Sequence, residues 1–92
     1  PATWIEVECE TLEEVQEAVL VCPDIILLDN MDIPTVIKAR DMVPSSILLE
    51  ASGNITLDNA KDYAKTGVNR IAVGAITHSA PSLDLSMRVE RS

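Results

Sequence analysis

The sequence predicts an α/β fold with four to five parallel strands alternating with three helices. Short runs of Ile, Leu and Val alternate with amphipathic segments, and successive runs are spaced by about 20 to 25 residues. That order is typical of parallel strands joined by right-handed crossovers. A doubly wound open sheet and part of a (β/α) barrel both fit, although so few strands cannot close a barrel.

Local patterns predict each element of the first half in turn. Residues 4–9 alternate apolar and polar side chains, as expected of a strand. Thr11 and Glu14 have the spacing of a capping box, which predicts a helix through about Val21. Residues 25–28 are all apolar, as in a strand buried on both faces. The alternation of strand and helix therefore begins at the first residues.

The alternation continues through the second half. Asp32 and Pro34 predict the start of a second helix. The remaining predicted elements are a third strand at 46–49, a third helix capped by Thr56 and stopped at Gly67, a fourth strand at 70–73 and a final strand at 83–89.

Composition narrows the class of protein. The 92 residues carry a formal net charge of -8 and are 47% hydrophobic, which predicts one globular domain. An acidic chain is a poor partner for nucleic acid or an anionic membrane, because both bind basic surfaces. Its longest apolar stretch is far too short to cross a membrane. So short a chain buries only about 60% of its unfolded surface, and we expect it to complete its core against something else.

The two cysteines predict packing residues in a reducing, cytoplasmic compartment. Cys9 and Cys22 form no CxxC motif and have no histidine nearby, so zinc is not expected. Two cysteines are too few for a disulfide-stapled scaffold. They fall at opposite ends of the predicted layer, so a disulfide between them is not expected either. No signal peptide is recognisable, and Pro1 at the start fits a processed or excised piece.

Acidic residues follow the first three predicted strands. Glu8, Asp29 and Glu50 would share one rim, because the carboxyl ends of parallel strands lie together. Such a cluster needs a divalent cation or a hydroxyl-rich ligand to offset its repulsion. The alternative explanation is that these acids cap helices or are solvated residues of loops. Glu6 has the same parity as Glu8, so both should lie on one face of the first strand.

Two glycine-containing turns are candidate phosphate sites. Ser52 and Gly53 lie between a strand and the next helix, where backbone N–H groups can bind an anion. Gly74 and Ala75 follow the next strand and would bring a second set of N–H groups to the same anion. His78, the only histidine, is a candidate general base, with a loop-organising role as the alternative.

Five motifs occur in a distinctive order and spacing. They are 5–8 (IEVE), 27–31 (LLDNM), 49–53 (LEASG), 66–68 (TGV) and 73–81 (VGAITHSAP). Together they resemble the C-terminal part of the quinolinate phosphoribosyltransferase family, and the match covers essentially the whole chain. The resemblance makes residues 1–92 a C-terminal portion of a catalytic domain whose fold is a partial (β/α) barrel.

The resemblance also implies an activity and partners. The family joins quinolinate to the ribose of phosphoribosyl pyrophosphate and releases pyrophosphate and carbon dioxide. The product, nicotinate mononucleotide, enters NAD biosynthesis. The family works as a homodimer or larger assembly together with the rest of the catalytic chain.

Site residues follow from the same resemblance. Glu8 and Asp29 would be the catalytic residues, holding the ribose hydroxyls and, directly or indirectly, the magnesium that accompanies phosphoribosyl pyrophosphate. Glu50 would support the adjoining loop. The remaining substrate-binding residues would surround the 5′-phosphate; they are Ser52, Gly53, Gly74, Ala75 and His78.

The chain departs from the family pattern in two ways. Asn54 stands where the family has a second glycine, although Asn tolerates a left-handed conformation. The basic residues that grip quinolinate come mainly from the preceding half of the family's chain, so we expect no turnover from these 92 residues alone.

Two other functions stay open. Short length, apolar content and open sheet edges suit a non-catalytic half-barrel that needs a partner chain. The two glycine turns also suit a different phosphate-binding barrel enzyme.

Overall fold

The computed structural model describes residues 3–77 and 83–90, and its strands form one sheet in the order β1-β2-β3-β4-β5. The first four strands are parallel and β5 is antiparallel to β4. The elements are β1 (Glu6–Cys9), α1 (Leu12–Val21), β2 (Ile25–Asp29), α2 (Ile33–Met42), β3 (Leu48–Ser52), α3 (Ala60–Ala64), β4 (Arg70–Thr77) and β5 (Leu83–Glu90).

One face of the sheet packs against all three helices. We call it the helix face; its strand positions are Val7, Cys9, Ile26, Leu28, Leu49, Ala51, Ile71 and Val73. These side chains form a single core with helix residues that include Val15, Val36 and Tyr63. A doubly wound sheet has helices on both faces, whereas parallel strands in chain order with helices on one side form an arc of a (β/α) barrel. The partial-barrel prediction is confirmed.

The opposite side of the sheet, which we call the second face, carries the alternate residues of the same strands. Its described positions are Glu6, Glu8, Ile25, Leu27, Asp29, Leu48, Glu50, Ser52, Arg70, Ala72 and Gly74. Side chains alternate between faces along a strand, so this set follows directly from the register of the helix face.

The sequence predicts four to five parallel strands. Four are parallel, and the fifth strand is antiparallel to β4. Only residues 78–82 separate β4 from β5. A parallel crossover needs a dozen or more residues, whereas an antiparallel pair can be joined by a short connection. The length of the connection therefore decides the direction of β5.

Helix starts agree with the sequence except at α3. Thr11 and Glu14 form the predicted capping box, with Thr11 Oγ1 accepting from Glu14 N at 3.2 Å. Asp32 Oδ1 caps α2 by accepting from Thr35 N at 3.0 Å. The third helix starts at residue 60 and not at Thr56, because Thr56 N donates to Asn59 Oδ1 at 2.8 Å within a preceding turn.

Strand ends extend beyond the predicted bounds. β3 reaches Ser52, so Glu50 lies inside the strand, and Asn30 N continues the ladder by donating to Ser52 O at 2.9 Å. Both cysteines are free thiols. Cys9 is buried, as a packing residue should be, whereas Cys22 is exposed, so the packing prediction is wrong for Cys22. No helix among the described residues is long and apolar enough to cross a membrane.

Candidate functional site

The second face carries the acidic residues that follow or end the first three predicted strands. The register aligns Glu8, Leu27, Glu50 and Arg70 in one row across four strands. Asp29 and Ser52 are paired two residues further along. The sequence-predicted acids are therefore brought to one face and one end of the sheet.

The helix-capping explanation does not apply to these acids. The caps of the three helices are Thr11, Asp32 and Asn59, and none of them belongs to the second face. Glu8 and Asp29 instead occupy strand positions. Neither carboxylate is used as a helix cap, so both are available to a ligand on the second face.

Glu8 and Asp29 are close enough to act on one small molecule. Glu8 is opposite Leu27, and Asp29 lies two residues beyond Leu27 on β2. A rise of about 3.3 Å per residue and a strand separation of about 4.8 Å place the two Cα atoms about 8 Å apart. Glu8 is exposed and Asp29 half-buried, so solvent and ligand can reach both carboxylates.

The turn after β3 is pressed against Asp29. Gly53 has φ +83°, and a Cβ there would lie 2.9 Å from Asp29 Oδ1 and 2.8 Å from Asn30 N. Only glycine satisfies both the left-handed backbone and this close approach. The strand-end carboxylate and the predicted phosphate turn are thus immediate neighbours.

Asn54 adopts the left-handed conformation that asparagine tolerates. Its φ is +59°, so Gly53 and Asn54 are two successive left-handed residues. Among the described residues, the N–H groups of Gly53 and Asn54 donate to no protein acceptor. The turn therefore presents two adjacent N–H donors beside the carboxylate of Asp29.

Gly74 and Ala75 are not in a turn, and that prediction is wrong. Both lie inside β4, paired with Ser86 and Leu85 of β5. The hairpin with β5 extends β4 past the position where the apolar run suggested an end. Gly74 N donates to Ile55 O at 3.1 Å, so this N–H group is already engaged.

Gly74 nevertheless leaves space on the second face. A Cβ at this position would have no neighbour within 4 Å. His78, the other candidate from the same motif, lies outside the described residues.

Sequence reasoning missed Arg70. It lies at the amino end of β4, where no ligand-binding residue is expected, yet the register places it opposite Glu50 on the second face. Glu50 is only 2% exposed. Opposite charges in directly opposed positions stabilise a strand pair. Only the register between β3 and β4 shows this juxtaposition, so no signal in the sequence could have found it.

The acidic side chains of the second face are the candidate ligands for a metal ion. Among the described residues, no group of three or more His, Cys, Asp or Glu side chains is arranged to hold a metal ion. Magnesium usually keeps several waters and binds one or two carboxylates together with substrate phosphates. Glu8 and Asp29 are two carboxylates, the number that such an ion takes from a protein.

Cys9 is not a nucleophile of this site. Burial raises the pKa of its thiol, and the carboxylates of Glu14 and Glu8 raise the pKa further. A thiol with a raised pKa carries little thiolate at neutral pH, and the thiolate is the reactive form. The predicted packing role is consistent with its place in the core.

The family comparison decides what this arrangement belongs to. The family described as "Quinolinate phosphoribosyl transferase, C-terminal domain" matches residues 1–88. The chain belongs to this family. The resemblance of the five motifs is thereby confirmed.

Relatives in this family match nearly the whole chain. The nicotinate-nucleotide pyrophosphorylase [carboxylating] of Mycobacterium leprae is 41% identical over 90 residues, which are 95% of this chain and 32% of that protein. The human nicotinate-nucleotide pyrophosphorylase [carboxylating] is 37% identical over 89 residues, covering 92% of this chain and 30% of that protein. The chain thus spans about a third of the length of these curated relatives.

A solved structure agrees with the fold. The nicotinate-nucleotide pyrophosphorylase of Ehrlichia chaffeensis superposes with a TM-score of 0.73 at 38% identity, covering 76% of this chain and 26% of that one. The barrel arc with helices on one side is therefore shared with that enzyme.

Proposed function

We propose that the enzyme carrying this chain converts quinolinate and phosphoribosyl pyrophosphate to nicotinate mononucleotide, pyrophosphate and carbon dioxide in NAD biosynthesis. The observation that carries the proposal is the family match over residues 1–88. Relatives named nicotinate-nucleotide pyrophosphorylase support it.

In this proposal Glu8 and Asp29 hold the ribose. Their carboxylates lie on one face, about 8 Å apart at the Cα atoms, and can accept hydrogen bonds from ribose hydroxyls. Departure of pyrophosphate leaves positive charge on the anomeric carbon, which fixed carboxylates stabilise. The same two residues would hold magnesium, which when bound neutralises the charge of the diphosphate leaving group.

The 5′-phosphate is assigned to the turn after β3. The N–H groups of Gly53 and Asn54 have no acceptor among the described residues, and Ser52 precedes them at the strand end. The open space over Gly74 would admit phosphate oxygens. Ala75 and His78 stay predicted members of this subsite.

The remaining partners follow from charge and surface. Arg70 is the one basic residue described on the second face of β1 to β4 and is opposed to Glu50, so the proposal assigns the carboxylates of quinolinate to basic groups elsewhere in the enzyme. Trp4, Leu20 and Val21 are more than half exposed, which suits contact with further protein. We propose a cytoplasmic homodimer, which sedimentation of the complete enzyme as a monomer would contradict.

The test is an assay of the complete enzyme with conservative variants. Glu8→Gln and Asp29→Asn should each lower kcat/KM for phosphoribosyl pyrophosphate by about 100-fold, since each removes a charge that acts in the transition state. Asp41→Asn is the matched control, because Asp41 is exposed on α2. Unchanged kinetics in the site variants would refute the assignment, and turnover of another sugar phosphate without quinolinate would indicate a different barrel enzyme.

A further inference from the structure

Two asparagines join the loop after β2 to the turn after β3. Asn54 Nδ2 donates to Asn30 Oδ1, although the residues are 24 positions apart in sequence. Both are left-handed, each with φ +59°. A backbone hydrogen bond runs beside this contact, from Asn30 N to Ser52 O at 2.9 Å.

The contact links the two parts of the site that would bind different parts of one ligand. Asn30 directly follows Asp29, the carboxylate assigned to ribose. Asn54 directly follows Gly53, whose N–H is assigned to phosphate. The side-chain hydrogen bond therefore affects the distance between the Asp29 carboxylate and the N–H donors of Gly53 and Asn54.

The far side of the turn is held as well. Asn59 Nδ2 donates to Asn54 O at 3.2 Å, while Asn59 Oδ1 accepts from Thr56 N at 2.8 Å. Ile55 O accepts from Gly74 N, which ties the end of the turn to β4. The backbone of the turn is thus held from α3 and β4, and the Asn54 side chain adds a hydrogen bond to the loop after β2.

We propose that Asn30 and Asn54 are positioning residues: their side-chain hydrogen bond, which we call the asparagine clamp, sets the distance between Asp29 and the Gly53–Asn54 N–H groups before the ligand arrives. The ligand part of this inference rests on the proposed function, because it takes phosphoribosyl pyrophosphate as the molecule that spans the two groups. A preset spacing saves the ordering cost of binding, so the clamp acts on affinity and not on the chemical step.

The test is a double-mutant cycle in the complete enzyme. Asn54→Gly and Asn30→Gly preserve the left-handed backbone and remove only the side chains. Each should weaken binding of phosphoribosyl pyrophosphate with magnesium by about 3- to 10-fold, the range for one neutral hydrogen bond. The double variant should be no weaker than either single one, and the loss should fall on affinity for phosphoribosyl pyrophosphate more than on kcat or on KM for quinolinate.

A matched control separates the clamp from a general effect of glycine. Cys22 also has a left-handed backbone, with φ +53°, but it caps the C-terminal end of α1, away from the candidate site. Cys22→Gly should therefore leave the affinity for phosphoribosyl pyrophosphate unchanged. Additive losses in the cycle, or an equal change in KM for quinolinate, would overturn the clamp.

Hydrogen exchange tests the clamp without any ligand. Asn54→Gly should speed amide exchange in residues 29–32 as well as in its own turn, whereas Cys22→Gly should not. Unchanged exchange in residues 29–32 would overturn the proposal even in an active enzyme. A wild-type enzyme that fails to bind phosphoribosyl pyrophosphate would refute the proposed function, while the exchange result would still decide the clamp.

Discussion

The two faces of the sheet differ in chemistry although they alternate along the same strands. On the helix face β2 and β3 present only apolar side chains: Ile26, Leu28, Leu49 and Ala51. On the second face the same strands are apolar at their amino ends and polar beyond them, with Glu50 in the middle of β3 and Asp29 and Ser52 at the carboxyl ends.

This difference separates stability from function within a single strand. Apolar residues against the helices remove surface from water and hold the arc together. Asp29 and Ser52 are at strand ends and only half-buried, so they can contact a ligand. The comparison predicts that substitutions on the helix face affect unfolding first and that those at the carboxyl ends affect binding first.

The largest expected effect compares adjacent leucines on opposite faces. Leu28 is completely buried in the core, so Leu28→Ala should lower the free energy of unfolding by about 3 kcal/mol through lost burial and a cavity. Leu27 is half-buried on the second face, so Leu27→Ala should cost clearly less. Denaturant unfolding measures both, and equal losses would show that the second face is packed as tightly as the helix face.

A smaller effect compares two left-handed glycines. Gly53→Ala should lower the free energy of unfolding by about 2 kcal/mol and weaken phosphoribosyl pyrophosphate binding. The new Cβ would clash with backbone atoms, and alanine disfavours the left-handed conformation. Gly67→Ala should cost about 1 kcal/mol, since at φ +99° its Cβ would meet only the flexible Arg40 side chain at 3.2 Å. Thermal unfolding and titration of both variants give the comparison, which fails if Gly67→Ala weakens binding equally.

The smallest expected effect concerns Asp32, three residues beyond Asp29 at the same end of the sheet. The Thr35 hydroxyl and then the Thr35 N–H hold the pKa of Asp32 below its ordinary value, with Lys38 adding to this. A lowered folded-state pKa gives stability that is present above about pH 4 and lost as pH falls through the folded-state value.

Asp32→Asn keeps an oxygen acceptor at the cap but cannot titrate. The difference in melting temperature between wild type and variant should therefore be constant from pH 5 to 7 and should shrink below about pH 4. Melting curves across that range measure it. A difference that grows on acidification would mean that Asp32, like Asp29, has a role other than capping.

Most of the helical and strand elements could be predicted because their signals are local. The capping box of Thr11 and Glu14 and the cap of Asp32 occur within one turn of chain. The errors occur where another group competes for the same stretch of backbone. Asn59 takes up the Thr56 N–H and so shortens α3, and pairing with β5 carries Gly74 into β4.

The candidate site divides in the same way. Glu8 and Asp29 could be found because strand ends are visible in a sequence, and their shared face follows from parity. Arg70 and the clamp between Asn30 and Asn54 could not, since the first depends on the register of β3 and β4 and the second on how the loop after β2 meets the turn after β3.

The amino-acid sequence by itself determined an acidic, apolar α/β chain with carboxylates after its strands and the motifs of its family. Periodicity and capping are properties of neighbouring residues, so they are present before the chain folds. Only the tertiary structure decided that all three helices lie on one face and that Asp29 touches the turn at Gly53. Those facts depend on the register between strands about 20 residues apart, which packing of the whole sheet selects.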